Sequence, residues 1–460
     1  MTTTPDIPIS HLRSEVAGTV IAAGDADYDT ARHVFFTGFD RRPAAIVRVA
    51  DADDVSRVVC LARESGTQLA VRSGGHGLAG HGTSDGGIVL DLSAMNAIEV
   101  DADGRTAWAQ TGATTGAYTE QTGAHGLGTG FGDTRSVGVG GITLSGGVGY
   151  LVRKHGLTVD DLLAAEVVTA DGELLEVDAT NHADLFWALR GGGGNFGVAT
   201  RLRFRLHELD QVVGGMLMLP AGPDLVTELV AAMEAAPEEL SVIANVMKAP
   251  PLPFIPAEHH GKPVVMAMMV HAGEPEAGEQ AIAPLRRLAT PLADTVRPIR
   301  YPEMYAGPEA PHPVLVEGAN LLIDELPAGS PQAILEHLDE ASASMAAVQL
   351  RVLGGAMARV PDDATAFGHR GAKLMVNATA LHDRPDERSK HREWANRLVE
   401  TLSDRSTAGA YAGFIGDDGE EGMRRAYPPA TLERLTRVKA QYDPDNLFRL
   451  NLNVPPAGAR

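Results

Sequence analysis

The sequence predicts a two-domain α+β protein, and three observations carry that expectation. At 460 residues the chain is longer than one hydrophobic core organises. Its first 207 residues interleave short apolar runs with glycine-rich loops. From residue 208 the texture changes to longer apolar runs alternating with amphipathic stretches, with fewer glycines and more methionine and proline. That second pattern suits helices laid on one face of an antiparallel sheet.

The elements follow in chain order. Val55, Val58, Val59 and Ala62 recur at helical spacing, and Asp51 to Asp54 supply acids for the helix start. Cys60 falls at an apolar position of that helix and reads as core packing. Ile88–Leu92 is a buried strand, Trp108–Gln110 a short one, and Thr114–Ala124 a helix ending near Gly126. Val167–Glu176 forms two apolar runs around Asp171-Gly172, the signature of a hairpin. A helix over Ala183–Leu189 precedes a strand over Val198–Leu206, where apolar residues alternate with Arg201, Arg203 and Arg205. In the second half, strands are expected at Val212–Leu219, Leu240–Val246, Val264–Ala272, Val348–Leu353 and Leu374–Leu381. Helices are expected at Pro223–Ala235, Glu276–Leu288, Gln332–Ala346 and Glu387–Leu402, with a faint ββα-type duplication among them. Ala249–Pro256 is a proline-rich loop, and Glu433–Ala440 is the last helix.

Composition narrows the function classes. A net charge of −21 argues against nucleic acid as a partner, because polyanion binding needs a basic face. Met1 to Gly18 lacks a basic start followed by an apolar run, and no stretch approaches membrane-spanning length, so a cytoplasmic protein is expected. One cysteine permits no internal disulfide. His259-His260 has no third ligand at useful spacing, so no metal site is expected. The assembly is left open, with a homodimer as one form.

Two glycine-rich stretches stand out. In Val71-Arg72-Ser73-Gly74-Gly75-His76-Gly77-Leu78-Ala79-Gly80-His81-Gly82, the backbone is stripped of side chains around one imidazole. Gly138-Val139-Gly140-Gly141, after Val137, is a second bare loop. Such loops present backbone N–H groups to an extended anionic ligand such as a pyrophosphate, or are tight turns in a β-rich domain. Gly192-x-Gly194-x-x-Gly197 matches the dinucleotide fingerprint, but it follows a helix and opens a strand, the reverse of the Rossmann order.

Arg-Ser-Gly-Gly-His at 72–76, Gly-Gly-Ile-Val-Leu-Asp-Leu at 86–92, Val-Gly-Val-Gly-Gly at 137–141 and Leu-Phe-Trp-Ala-Leu-Arg-Gly-Gly-Gly at 185–193 resemble the berberine-bridge-enzyme-type branch of the vanillyl-alcohol-oxidase flavoproteins. Asn-Phe-Gly-Val at 195–198 and Tyr-Asp-Pro-Asp-Asn-Leu-Phe-Arg-Leu-Asn at 442–451 are similar to the same branch. Its bacterial members of alkaloid and polyketide chemistry are the nearest in pattern. The resemblance implies an FAD-binding domain over residues 1–207, a substrate domain over 208–419, and a segment 420–460 returning to the first domain.

It also implies site residues. His76 matches the histidine bonded covalently to FAD, with Arg72, Ser73, Gly74, Gly75, Gly77 and His81 around it. Thr134 stands where some members carry a second, cysteine tether, so one bond is implied. Val137 matches the valine that leaves O2 a path to the flavin, beside Gly138, Gly141 and Ile142. Val198, Asn451 and Asn453 complete the cofactor set. For the catalytic base the plant-type glutamate position falls at Val376, so Tyr411 leads and His369 is the alternative. Met216, Met218, Met266, Met268, Met269 and Met375 line an adaptable pocket or fill the core.

The activity implied is removal of hydride from a C–H beside O or N of a small aromatic, alkaloid or polyketide-like substrate. Electrons then pass to O2 to give H2O2. A carbohydrate or alcohol oxidase and a non-catalytic flavin-binding protein are the alternatives.

Overall fold

The computed structural model describes residues 9–306, 314–403 and 409–458. Three sheets organise the chain. The first comprises β1 (Thr19–Ala22), β2 (Ala45–Arg48), β3 (Leu69–Arg72) and β4 (Ile88–Asp91) in the order β1-β2-β4-β3. β4 runs parallel to both β2 and β3. Helix α1 (Ala52–Ser65) buries Val55, Val58, Val59 and Ala62 against this sheet. Asp51 caps its start by accepting from the Asp54 N–H, and Gly66 ends it in the left-handed region at φ +64°.

The second sheet is antiparallel, with β5 (Ile98–Asp101), β6 (Thr106–Gln110), β7 (Leu162–Val168), β8 (Leu174–Asp178) and β9 (Val198–Arg205) in the order β5-β6-β9-β7-β8. Gly172 at the β7–β8 turn adopts φ +84°, which explains the Asp-Gly pair there. Cys60 is half-buried beside this turn rather than fully in the core. Helices α2 (Thr115–Gly123) and α3 (Val139–Leu144) cross the sheet, and α4 (Ala183–Leu189) leads into β9.

The third sheet is built from β10 (Gln211–Pro220), β11 (Leu240–Lys248), β12 (Pro263–His271), β13 (Leu315–Ile323), β14 (Met345–Val352) and β15 (Leu374–His382), ordered β10-β12-β11-β14-β15-β13. Helices α5 (Pro223–Ala235), α6 (Pro275–Arg286), α7 (Ser330–Glu340) and α8 (Arg388–Leu402) cover its outer face. The faint duplication resolves into a βαββα unit used twice, β10-α5-β11-β12-α6 and β13-α7-β14-β15-α8. The expected helix over Gln332–Ala346 stops at Glu340, and β14 begins at Met345. Strand β13 is not expected from the sequence at all.

Alternation sorts this sheet into two faces. Val242, Ala244, Val246, Val348, Leu350, Val376 and Ala378 point into the helix-backed core. Arg351, Met375, Leu322, Ile243 and Val270 point the other way, toward Val148, Tyr150, Leu151 and Val152 of the preceding domain. After the third sheet, α9 (Gly419–Ala426) and α10 (Pro429–Tyr442) join the core of the second sheet through Met423, Ala426, Leu435 and Val438.

Candidate active site

The two bare loops meet backbone to backbone. A Cβ on Gly74 would lie 2.2 Å from the Gly138 nitrogen, and one on Gly138 would lie 2.0 Å from Ser73 Oγ. Neither position tolerates a side chain. The Ser73 hydroxyl donates to the Thr111 carbonyl, fixing the first loop to the second sheet. Arg72 lies beneath the loop, with its guanidinium on Asp91 at 3.0 Å and on the carbonyls of Ala31 (2.8 Å) and His33 (3.1 Å). It therefore clamps the loop and presents no free charge.

A crevice of about 400 Å³ opens above these loops, lined by Ser73 to Ala79, His81, Asp133, Thr134, Val137, Gly138, Gly141 and Ile142. Tyr411, Phe414, Asn451 and Leu452 close it from the C-terminal side. A second cavity of about 190 Å³ shares Val71, Ser73, Gly141, Gly194 and Asn451 with it and reaches Val198. His76 points its Nε2 at Ser136 Oγ (2.9 Å) and stacks on Phe35, with ring centroids 3.8 Å apart. Burial holds the His81 imidazole below its ordinary value, so it is neutral at pH 7.

The residues fit a large flat cofactor with polar edges. A Cβ on Gly77, Gly141 or Gly194 would meet nothing within 4 Å, so these three leave bare backbone facing open space. Asn451 Oδ1 and Asn453 Oδ1 are buried without a hydrogen-bond partner, which buried amides rarely tolerate. Asn451 donates through Nδ2 to the carbonyls of Gly194 and Phe448, both at 3.1 Å. Asn195 staples the same segment, donating to the Gly192 and Leu452 carbonyls and accepting from the Val454 N–H. Asn453 is not among the crevice's lining residues.

Comparison with known proteins agrees with this geometry. A family model described as FAD binding domain matches residues 43–178, and one described as berberine and berberine like matches residues 410–455. The chain is 32% identical to (R)-6-hydroxynicotine oxidase of Paenarthrobacter nicotinovorans, across 96% of this chain and 98% of that protein. It is 29% identical to an uncharacterized FAD-linked oxidoreductase of Bacillus subtilis, across 96% and 98% of the two. The crystal structure of 6-hydroxy-D-nicotine oxidase from Arthrobacter nicotinovorans superposes with a TM-score of 0.84 at 30% identity, over 95% of this chain and 98% of that one.

The chain belongs to the berberine-bridge-enzyme-like FAD-linked oxidoreductases.

It is thus an FAD-dependent enzyme of the vanillyl-alcohol-oxidase fold class. No helix among the described residues is long and apolar enough to cross a membrane, and no group of metal-ligating side chains occurs among them.

The proposed bases need correction. Tyr411 lines the crevice but is only 3% exposed, and burial pushes its phenol up to about 12. Its oxygen accepts from the Gly147 N–H at 3.2 Å. The phenol therefore stays protonated at neutral pH, suited to donate a hydrogen bond rather than to take a proton. His369 is absent from the crevice lining, and its Nε2 lies 3.0 Å from the carbonyls of Arg425 and Ala426. That nitrogen is spent on the backbone of the C-terminal segment. Val376 faces the helix-backed core, so a carboxylate there would be buried away from the crevice. Of the methionines, Met218, Met269 and Met375 are fully buried, whereas Met216, Met266 and Met268 are half-buried.

Sequence reasoning missed Asp133 and Arg351. Arg351 donates to Asp133 Oδ2 at 2.6 Å, to the Val148 carbonyl at 3.0 Å and to Gln349 Oε1 at 2.7 Å, across 218 positions of sequence in the first case. The signal available was the alternation Val348-Gln349-Leu350-Arg351-Val352, which puts both polar residues on one strand face.

Proposed function

We propose that this enzyme is an oxidase that takes hydride from a C–H beside O or N of a small aromatic, alkaloid or polyketide-like molecule. FAD held in this crevice would supply the hydride acceptor, with O2 as the final electron acceptor and H2O2 as its product. His76 is proposed as the single covalent tether, because Thr134 offers no thiol for a second. What supports the reading most is convergence: His76, the bare backbone at Gly77, Gly141 and Gly194, and the unpartnered Asn451 Oδ1 all meet at one crevice.

The chain's own groups then have stated roles. The loop at 73–77 and the N–H groups of Gly138 and Gly141 face the cofactor, those of Val139 and Gly140 being bonded to the Ala113 and Thr111 carbonyls. Asn451 and Asn195 hold the C-terminal wall in place. The Tyr411 hydroxyl has its proton free to orient a substrate heteroatom. An amine substrate entering neutral needs no base, because loss of hydride leaves an iminium. Val137, half-buried in the lining, is small enough to leave O2 a path.

Acid precipitation of the purified protein tests the tether: yellow colour should remain with the pellet and be lost in His76→Ala. Colour released entirely from the unaltered protein removes the covalent assignment. Val137→Leu should slow reoxidation by O2, followed by stopped-flow absorbance, and equal rates would remove the oxygen-path argument. A panel of amines, alcohols and phenols with peroxide detection tests the activity itself.

A further inference from the structure

The inner face of the third sheet is organised in cross-strand rows. One row is Met216, Met268, Ile243, Arg351, Met375 and Leu322; the next is Met218, Met266, Asn245, Gln349, Asn377 and Asn320. Four adjacent strands thus contribute four consecutive amides beside the one guanidinium of the sheet that reaches the crevice. Gln349 donates to Asn245 Oδ1 at 3.0 Å and accepts from Arg351 at 2.7 Å. Asn377 is 8% exposed, and its Oδ1 has no partner. Asn245, Gln349, Met266 and Met268 are half-buried, and the row adjoins the crevice through Arg351, which lines it; the row itself lies one step beyond that lining.

Among the described residues lining the crevice, charge is cancelled. The charged residues lining the crevice are Arg72, Asp133 and Arg351, besides the two histidines. Arg72 is paired with Asp91, and Asp133 with Arg351. Thr134 Oγ1 donates to the second Asp133 oxygen at 3.0 Å. The Arg351 side chain is 4% exposed, and its Nε and both terminal nitrogens are committed. An ionic ligand would have to break a buried pair to find a counter-charge. A polyol would need more hydrogen-bond partners than the row supplies between its methionines.

We propose that this amide row is the substrate-recognising surface. The substrate it selects is an uncharged, flat, amphipathic ring with a hydrogen-bond donor next to an acceptor, as in a lactam or aryl amide. Asn245, Gln349 and Asn377 read the polar edge, while Asn320 is buried and holds the Tyr411 backbone through both ends of its amide; Met266, Met268 and Phe414 take the apolar body. The inference rests on the flavin reading above and specifies which molecules that flavin meets.

The test uses the FAD-loaded protein and four probes: benzamide, benzoate, benzylammonium and cellobiose. Each is titrated while the visible flavin absorption is recorded. Benzamide should give a saturating difference spectrum with a Kd at least about tenfold below the other three. Gln349→Leu should weaken benzamide by about tenfold, the scale of one hydrogen bond, with the flavin's own spectrum unchanged. Asn245→Leu gives a second, independent variant should the first fold poorly. The proposal is overturned if either charged probe or the disaccharide binds as well as benzamide, if benzamide gives no difference spectrum, or if both folded variants bind it unchanged. Absence of flavin absorption after FAD is added would instead overturn the flavin reading, and this proposal with it, before any probe is used.

Discussion

Lys439 is the residue whose replacement most directly tests how the C-terminal wall is held. Its side chain is fully buried, and Nζ donates to Asp443 Oδ2 at 2.5 Å and to the carbonyls of Asn195 (2.7 Å) and Phe448 (3.0 Å). Burial draws the ammonium below its ordinary range while Asp443 raises it. Asp443 in turn accepts from the N–H groups of Leu447 (2.8 Å) and Phe448 (2.9 Å). Lys439→Met keeps the length but donates nothing, leaving a buried carboxylate short of its counter-charge and the Asn195 carbonyl without this donor, while Phe448 keeps its bond from Asn451. Removing one partner of a buried ion pair costs about 3–5 kcal/mol, so a loss of about 4 kcal/mol is expected. The urea slope grows with chain size, so with a slope of about 4 kcal/mol per molar the unfolding midpoint should fall by about 1 M. Trp187, 4% exposed in the same core as Leu435 of α10, gives the fluorescence signal. Asp443→Asn, which keeps an acceptor, should fall less. A midpoint for Lys439→Met within about 0.5 M of the unaltered protein would refute the argument.

Three further outcomes are expected. His155 stacks on His207 with centroids 3.8 Å apart, and burial, with His207 next, lowers its pKa from the ordinary 6.5 to about 3. The folded value lies below the unfolded one, so this contribution to stability is complete above pH 6.5 and is lost as pH falls toward 3. His155→Phe should therefore flatten the fall in unfolding free energy, from urea titrations between pH 6.5 and 4, by up to about 1.4 kcal/mol per pH unit; an unchanged pH slope would count against it. Gly138→Ala should part the two loops and leave the protein without bound flavin by visible absorbance, whereas Gly141→Ala should keep the urea midpoint and lose only flavin. Flavin retained in both would contradict the contact geometry. Tyr411→Phe should slow turnover by about tenfold, one hydrogen bond's contribution, with the pH profile unmoved. A shifted pH profile would restore the phenol as base.

How much was legible differs from region to region. The glycine loops could be read because only glycine allows two backbones to approach as Gly74 and Gly138 do. The Asp171-Gly172 hairpin and β9 could be read because turn chemistry and alternation are local signals. Strand β13, Leu-Val-Glu-Gly-Ala-Asn-Leu-Leu-Ile, has a central glycine and no clean alternation, since both of its faces are buried. The overlong α7 came from the alanine-rich stretch 341–347, whose composition favours helix; pairing of β14 with its neighbours overrides that propensity from Met345 onward. The crevice's charge balance was invisible because Asp133 and Arg351 are brought together only by docking of the third sheet. Residue counting placed Val376 at the site, and strand alternation places it one residue out of phase, on the opposite face.

The repeated βαββα unit has a consequence for orientation. Its approximate twofold axis passes through the β11–β14 seam, relating Asn245 to Gln349, Met266 to Asn377 and Met218 to Asn320. A perfectly repeated platform would accept a ligand in two equivalent poses, head-on or reversed. Here one half carries thioethers where the other carries amides, so the two poses are not equivalent. The choice of which end of a molecule is presented for oxidation is thereby separable from the scaffold itself: exchanging Met266 with Asn377 would turn the ligand around without altering the backbone that supports it.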